Sequence, residues 1–249
     1  METKLKKNLF RGLVIIVFFI VVAIFIGWRS KSAEPGKTIS SQAQFVCGES
    51  ITFTYNGSSV TYGTVTGPDG KCWMDRNLGA TQVATASTDV SSFGHLFQWG
   101  RGDDGHQIEN SKNKANTQSS TDSPGHANFI YEFTDWRDSP NDKLWQGVDG
   151  ANNPCPIGWR LPTQEEWNIL VGYFNPKTSA GAYNSALKLP LAGYRNYINA
   201  MPIDQNKYGY YWSSSTNEKY AYILFLDPKG VNEASYDRAY GYSVRCVKD

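Results

Sequence analysis

The 249-residue sequence lacks the short signatures of familiar catalytic sites. It has no Gly-x-Ser-x-Gly, His-Glu-x-x-His, P-loop or dinucleotide fingerprint. Three histidines are present, His95, His106 and His126, scattered over loop-like sequence, and none reads as a metal ligand or general base. Glu165 and Glu166 are adjacent, so on a helix they project about 100° apart and cannot easily flank one substrate bond. Asp103-Asp104-Gly105-His106 and Asp138-Ser-Pro-Asn141-Asp142 read as solvated turns before ion sites. The chain has no internal repeat. It implies no metal and no cofactor, and it does not read as an enzyme.

Excess charge of one sign is also missing. The chain holds 24 Lys/Arg and 23 Asp/Glu; residues 1–32 take six and one, leaving 18 against 22 and a formal −4 for the rest. An acidic domain has no electrostatic footprint for phosphate backbones, so nucleic acid is not an expected partner.

Cysteine is scarce. Cys47, Cys72, Cys155 and Cys246 include no Cys-x-x-Cys pair. An even count outside the cytoplasm argues for two disulfides. Of the three possible pairings we prefer Cys47–Cys72 with Cys155–Cys246. Loop-closure entropy gives them roughly 3.5 and 4.6 kcal/mol.

One long apolar run is present, at residues 12–28, after Lys4, Lys6, Lys7 and Arg11. Seventeen residues rising ~1.5 Å each cover roughly 26 Å, slightly short of a ~30 Å hydrocarbon core. Basic residues before it favour a cytoplasmic N-terminus, although Arg29 and Lys31 dilute that bias. Cleavage after Ala33 would put Lys31 where a small residue is wanted, so we read an uncleaved anchor rather than a signal peptide. The expected plan is a cytoplasmic basic segment (1–11), a transmembrane signal anchor (12–28), a linker (29–44) and an extracytoplasmic domain (45–249). The protein is then single-pass in the membrane, with its C-terminal domain at the cell surface or in the periplasm.

What is present centres on Cys155-Pro-Ile-Gly-Trp-Arg-Leu-Pro-Thr-Gln-Glu-Glu-Trp167. Thr163 followed by Glu166 is a capping box. Trp167, Leu170, Val171 and Phe174 then form one apolar helical face, and Pro176 stops the helix. Before this stretch, alternation around Asn56-Gly57 predicts a hairpin, with a third strand ending at Cys72-Trp-Met74. Residues 75–153 read as loop anchored by aromatics such as Trp99, Trp136 and Trp145. A short helix is expected at residues 179–187. Strands are expected at 210–213, 221–226 and 243–247.

Eight of the fifteen tyrosines fall in the last 42 residues, among Asn and Asp. Tyr with small polar residues is the composition of a recognition surface. High strand propensity of aromatics is the plainer explanation. Alternation puts Ala221, Ile223 and Phe225 on one face and Tyr220 and Tyr222 on the other.

Several of these stretches resemble a known family. Gly70-Lys-Cys-Trp-Met-Asp-Arg-Asn-Leu78, Phe97-Gln-Trp-Gly100, the central stretch, Tyr211-Trp-Ser-Ser214 and Gly241-Tyr-Ser-Val-Arg-Cys-Val247 look like the Fibrobacter succinogenes major paralogous domain, over about residues 45–249. The resemblance implies an α+β, C-type lectin-like fold of the formylglycine-generating-enzyme type. That means a twisted antiparallel sheet, two helices and long irregular loops, here preceded by the one N-terminal transmembrane helix. It also implies a bacterial surface or secreted location and no established activity. Fold relatives use a cysteine pair, a histidine triad or a calcium-binding Glu-Pro-Asn motif followed by Trp-Asn-Asp. The four cysteines have better use as disulfides, the histidines are dispersed, and Ser139-Pro-Asn141 precedes the central helix. Variable proteins of diversity-generating retroelements are also similar. On that likeness Tyr220, Tyr222, Asp227, Asn232, Tyr236, Asp237 and Tyr240 are candidate variable positions.

The resulting expectation is a ligand-binding, adhesin- or receptor-like protein taking an unidentified protein or glycan. Its contacts would come from Tyr194, Asn196, Tyr197, Tyr208, Tyr211, Asn217, Tyr220, Tyr222, Asp227, Asn232, Tyr236, Asp237, Arg238 and Tyr240. The rivals are an enzyme in which Asp103, Asp104 and His106 meet Arg195 or Arg238, and a structural envelope protein.

Overall fold

The computed structural model describes residues 45–108 and 114–249. Phe45–Asp249 forms one compact unit. The expected anchor at 12–28 and its flanks lie outside the described residues. Among the described residues no helix is long and apolar enough to cross a membrane.

The first hairpin pairs β1 (Ile51–Tyr55) with β2 (Ser58–Tyr62). Asn56 and Gly57 both take positive φ, which lets a two-residue turn follow the strand twist. A four-stranded sheet runs β3 (Thr64–Thr66), β4 (Cys72–Met74), β15 (Val247–Lys248) and β8 (Trp159–Arg160). A small parallel pair joins β6 (Lys114–Ala115) and β7 (Phe129–Ile130). The largest sheet has seven strands. Its path is β10 (Pro202–Ile203), β9 (Tyr194–Arg195), β14 (Gly241–Ser243), β11 (Gly209–Asn217), β12 (Tyr220–Asp227) and β13 (Gly230–Asp237), with β5 (Leu96–Gln98) also on β14.

Two short helices follow the central stretch. Helix α1 (Gln164–Val171) starts at the Thr163/Glu166 capping box, with both reciprocal hydrogen bonds formed. It ends at Gly172, whose N–H bonds back to Asn168 and Ile169. Trp167, Leu170 and Phe174 are buried together with Trp73, Tyr211, Leu224 and Leu226. Helix α2 (Ser179–Asn184) follows. Gly181 in it lies against the Pro176 carbonyl, where a Cβ would not fit.

The seven-stranded sheet separates two cores because its strands alternate. Tyr210 and Trp212 face one core, with Ile223 and Tyr242; Tyr211 faces the other, under α1. The long loop region is held by buried aromatics. The Trp99 indole donates to Ser213 O (2.9 Å), Trp136 to Trp99 O (2.6 Å) and Trp145 to Asn152 O (2.8 Å). Buried indoles of this kind satisfy their N–H while contributing large apolar area.

Two expectations are corrected. The α+β, C-type lectin-like class does not hold: the described residues are mostly β-sheet, the main sheet is a curled half-barrel, and the two helices have eight and six residues. The physical reason lies in the tail, where polar and aromatic residues continue pairing through β13 rather than ending at Leu226. The expected single strand at 243–247 splits in two. Between its parts Leu78 N–H bonds to Val244 O (2.9 Å) and Met74 N–H to Cys246 O (3.0 Å), as the chain crosses between sheets.

Candidate functional site

Register decides which tail aromatics meet. Tyr210 lies opposite Phe225 and Trp212 opposite Ile223 on the β11–β12 ladder, so all four share a face. β13 adds Tyr236 opposite Ala221 and Asn232 opposite Phe225 on that face. β14 brings Tyr242, with Tyr240 just before it. Gly193 positions Tyr194: it takes positive φ, and a Cβ there would run into the Ile203 carbonyl.

The rings form one continuous chain. Centroid separations are 5.5 Å for Tyr208–Phe225, 4.9 Å for Phe225–Tyr210, 5.1 Å for Tyr210–Tyr242, 5.4 Å for Tyr242–Tyr240 and 4.7 Å for Tyr240–Tyr197. Tyr194 touches Tyr210 at 5.1 Å and Tyr240 at 5.4 Å. Tyr236 lies 6.0 Å from Tyr240 and from Tyr242. Tyr242 and Tyr210, 1% and 8% exposed, form the floor over buried Trp212. Tyr194, Tyr197, Tyr208, Phe225, Tyr236 and Tyr240 are half-buried around it. Each such ring pair adds roughly 0.5–1.5 kcal/mol beyond area burial, so the floor is rigid.

The hydroxyls of Tyr194, Tyr197, Tyr210, Tyr240 and Tyr242 stay protonated. Burial, then the neighbouring Tyr197, pushes Tyr240 up to about 12. Burial drives Tyr242 well above the usual range. Tyr210 and Tyr194 are raised by burial and then by the Asp204 carboxylate. Tyr197 is raised by burial and by Asp237, with which it hydrogen-bonds. Burial raises Asp237 in turn. These five tyrosines are therefore neutral rings that donate and accept hydrogen bonds, with Asp204 and Asp237 beside them.

Of the expected contact residues, Tyr194, Tyr197, Tyr208, Tyr236 and Tyr240 come together here. Asn232 is exposed on the same face, while Tyr220 and Asp237 pair at its end. Asn217 is exposed at the end of β11, its amide 3.4 Å from Ser235 Oγ. Asn196 and Asp227 shape turns, accepting from Ile198 N–H and Lys229 N–H (both 2.7 Å). Tyr222 pairs with Ser235 on the opposite side of the sheet, so the seven candidate variable positions do not share one surface. Tyr211 and Arg238 are corrected, because both are inside the protein. Tyr211 is 0% exposed and donates to Pro190 O (2.6 Å). Arg238, 1% exposed, donates to Asp142 and to Glu218 O (2.7 Å) and lies over Trp99.

Sequence reasoning missed Phe225, Tyr210 and Tyr242. Alternation correctly put Phe225 with Ala221 and Ile223, and it is that face, not the one with Tyr222, that carries the aromatic rim. The signal was available in the pairing of Tyr210 with Phe225.

Asp104, His106 and Arg195 also converge, but inward. Asp104 accepts from His106 Nδ1 (2.6 Å), and His106 Nε2 accepts from Gln98 N–H (3.0 Å). Arg195 Nη1 donates to His106 O (2.9 Å). Burial and then Arg101 push His106 down to about 3, so it is neutral with both ring nitrogens occupied. Arg238 stands elsewhere, on Asp142. Among the described residues no three His, Cys, Asp or Glu are placed to hold a metal. Both preferred disulfides are formed, Cys47–Cys72 and Cys155–Cys246.

No curated protein and no solved structure matches the chain. Two families do. Residues 172–247, which hold the aromatic face, match a domain of unknown function (DUF8237). Residues 69–184, from the turn before β4 to the end of α2, match the Fibrobacter succinogenes major domain. Over residues 69–184 the match supports the resemblance of the sequence motifs to the Fibrobacter succinogenes major domain family.

Proposed function

We propose that this is a surface-type protein that binds a protein or glycan ligand, outside the cytoplasm, through the tyrosine face of residues 194–242. The reading makes it a binding module rather than an enzyme. One observation carries it: six half-buried rings surround two buried ones in a continuous cluster. A cluster that served only packing would be covered, and this one keeps its rim open. Tyrosine gives large contact area at low rotamer cost and retains a hydroxyl for hydrogen bonding. The two disulfides support an oxidising location.

The test uses the protein against arrays of glycans and of surface proteins from the same cells. Tyr194→Ala and Tyr236→Ala, singly, are expected to weaken the recognised ligand at least tenfold, with far-ultraviolet circular dichroism unchanged. Lys188→Ala, remote from the face, is the control. Unchanged binding in both tyrosine variants sinks the reading.

A further inference from the structure

β13 is the outer strand of the seven-stranded sheet. It is eight residues long and pairs with β12 without a bulge over its whole length. No backbone ladder among the described residues reaches its other edge. Natural edges are blunted by brevity, proline, bulges or charge, and of these β13 has only its two acids, Glu233 and Asp237. Apart from the Asp237 carbonyl, which accepts from Tyr240 N–H (3.2 Å), no strand takes up the outward N–H and C=O groups of β13, which lie beside the tyrosine face to which Tyr236 belongs.

We propose that the ligand is a polypeptide, and that a basic, extended segment of it adds to the sheet as a strand along β13. This rests on the binding reading above and narrows it to a protein. Charge selects the occupant. Within Gly230–Asp237 the charged residues are Glu233 and Asp237, both acidic. Asp204 borders the same rings. Lys219 and Lys229 stand in the turns on either side of β12 and not on the strand. A second copy paired antiparallel about Glu233 would set that carboxylate against its own mate, which disfavours self-pairing. A Lys/Arg strand instead meets Glu233 and Asp237 on one face of the sheet, its main chain satisfies the open edge, and the side chains between its cations reach Tyr236 on the other face.

The experiment titrates the full protein with capped octapeptides of alternating Lys/Val, Glu/Val and Ser/Val, reading affinity and amide exchange. The Lys/Val peptide is expected to bind at least tenfold more tightly than the other two. It should slow every second amide of β13 at least tenfold. Glu233→Lys, an exposed position, should abolish the preference or invert it. Equal affinity for all three peptides, or no binding of any, overturns the proposal. Protection confined to the tyrosine face without β13 overturns the edge pairing but leaves the binding reading standing. Protection of β13 that rises with protein concentration and no peptide means a second copy takes the edge, which also overturns the proposal. Failure of the binding reading shows separately, as unchanged ligand affinity in Tyr194→Ala and Tyr236→Ala.

Discussion

Arg245 lies in the core with no carboxylate against it. Its guanidinium donates to Asn77 Oδ1 (2.8 and 3.1 Å), Leu187 O (2.7 Å) and Met74 O (3.2 Å). Burial pushes its pKa down to about 10, so it remains charged, held by neutral oxygens from two separate segments, residues 74–77 and Leu187. Asp135 is the opposite case. Its Oδ1 accepts from Arg137 N–H (3.0 Å), while buried Oδ2 meets no partner. Burial raises this carboxyl to about 6, against the pull of the Arg137 amide and of Arg238. The folded pKa stands above the unfolded one, so the contribution to stability is full below the usual 3.8 and is lost as pH rises through about 6. Moving a carboxyl from 3.8 to about 6 corresponds to roughly 3 kcal/mol between its two protonation states. Asp135→Asn keeps an acceptor and removes the charge. It is expected to stabilise the protein by about 1–3 kcal/mol at pH 8 and by little at pH 4, read by urea unfolding at both values. A gain of equal size at both would remove the charge from the explanation.

Helix α1 is fixed by side chains outside it as much as by its own turns. Glu166 accepts from the Thr163 amide (2.8 Å), takes Arg160 on both oxygens (2.7 and 2.8 Å) and lies 3.1 Å from Lys71. Burial opposes the charge, but Arg160 and the cap amide overcome it and hold the carboxyl at about 2. That stabilisation is present above the usual 4.5 and is lost as pH falls through about 2. Glu166→Gln is expected to cost about 2–3 kcal/mol at pH 7 and far less near pH 2, followed by Trp fluorescence in urea. A pH-independent loss would point to packing instead of charge. The cap was legible in the sequence because three residues of spacing define it. The same holds for the Asn56-Gly57 hairpin and for the apolar stripe from Trp167 to Phe174. β13 was not legible: Gly, Asn, Ser and two acids give its eight residues no clean alternation. Nor was the break at Val244, which depends on Leu78 and Met74, more than 160 residues upstream. The site was half legible. The tyrosines were visible as composition, but which side they occupy depends on β9, β13 and β14 meeting around β11 and β12.

At the scale of the molecule, the two disulfides act on different spans. Cys155–Cys246 closes 91 residues and Cys47–Cys72 closes 25. The larger loop holds both helices and most of the seven-stranded sheet. Its closing residue lies where the chain passes from β14 to β15, and both its sulfurs sit in the first core. The smaller ties the chain before β1 to β4 at the margin of that core. Loop-closure entropy alone gives costs of removal of roughly 4.6 and 3.5 kcal/mol. Replacing Cys155 and Cys246 together with alanine is expected to cost about 4–5 kcal/mol and to speed amide exchange in both the four- and seven-stranded sheets. Replacing Cys47 and Cys72 is expected to cost about 3–4 kcal/mol, with faster exchange confined to β1–β4. Urea unfolding of the two double variants under oxidising conditions reads the cost, and exchange reads the place. If the costs differ as expected but the exchange patterns match, the bridges act mainly on the unfolded chain. If the longer bridge costs far more than its loop length accounts for, its burial at the crossing between sheets carries the difference, and the tyrosine face, built on strands inside that loop, loses its order with it.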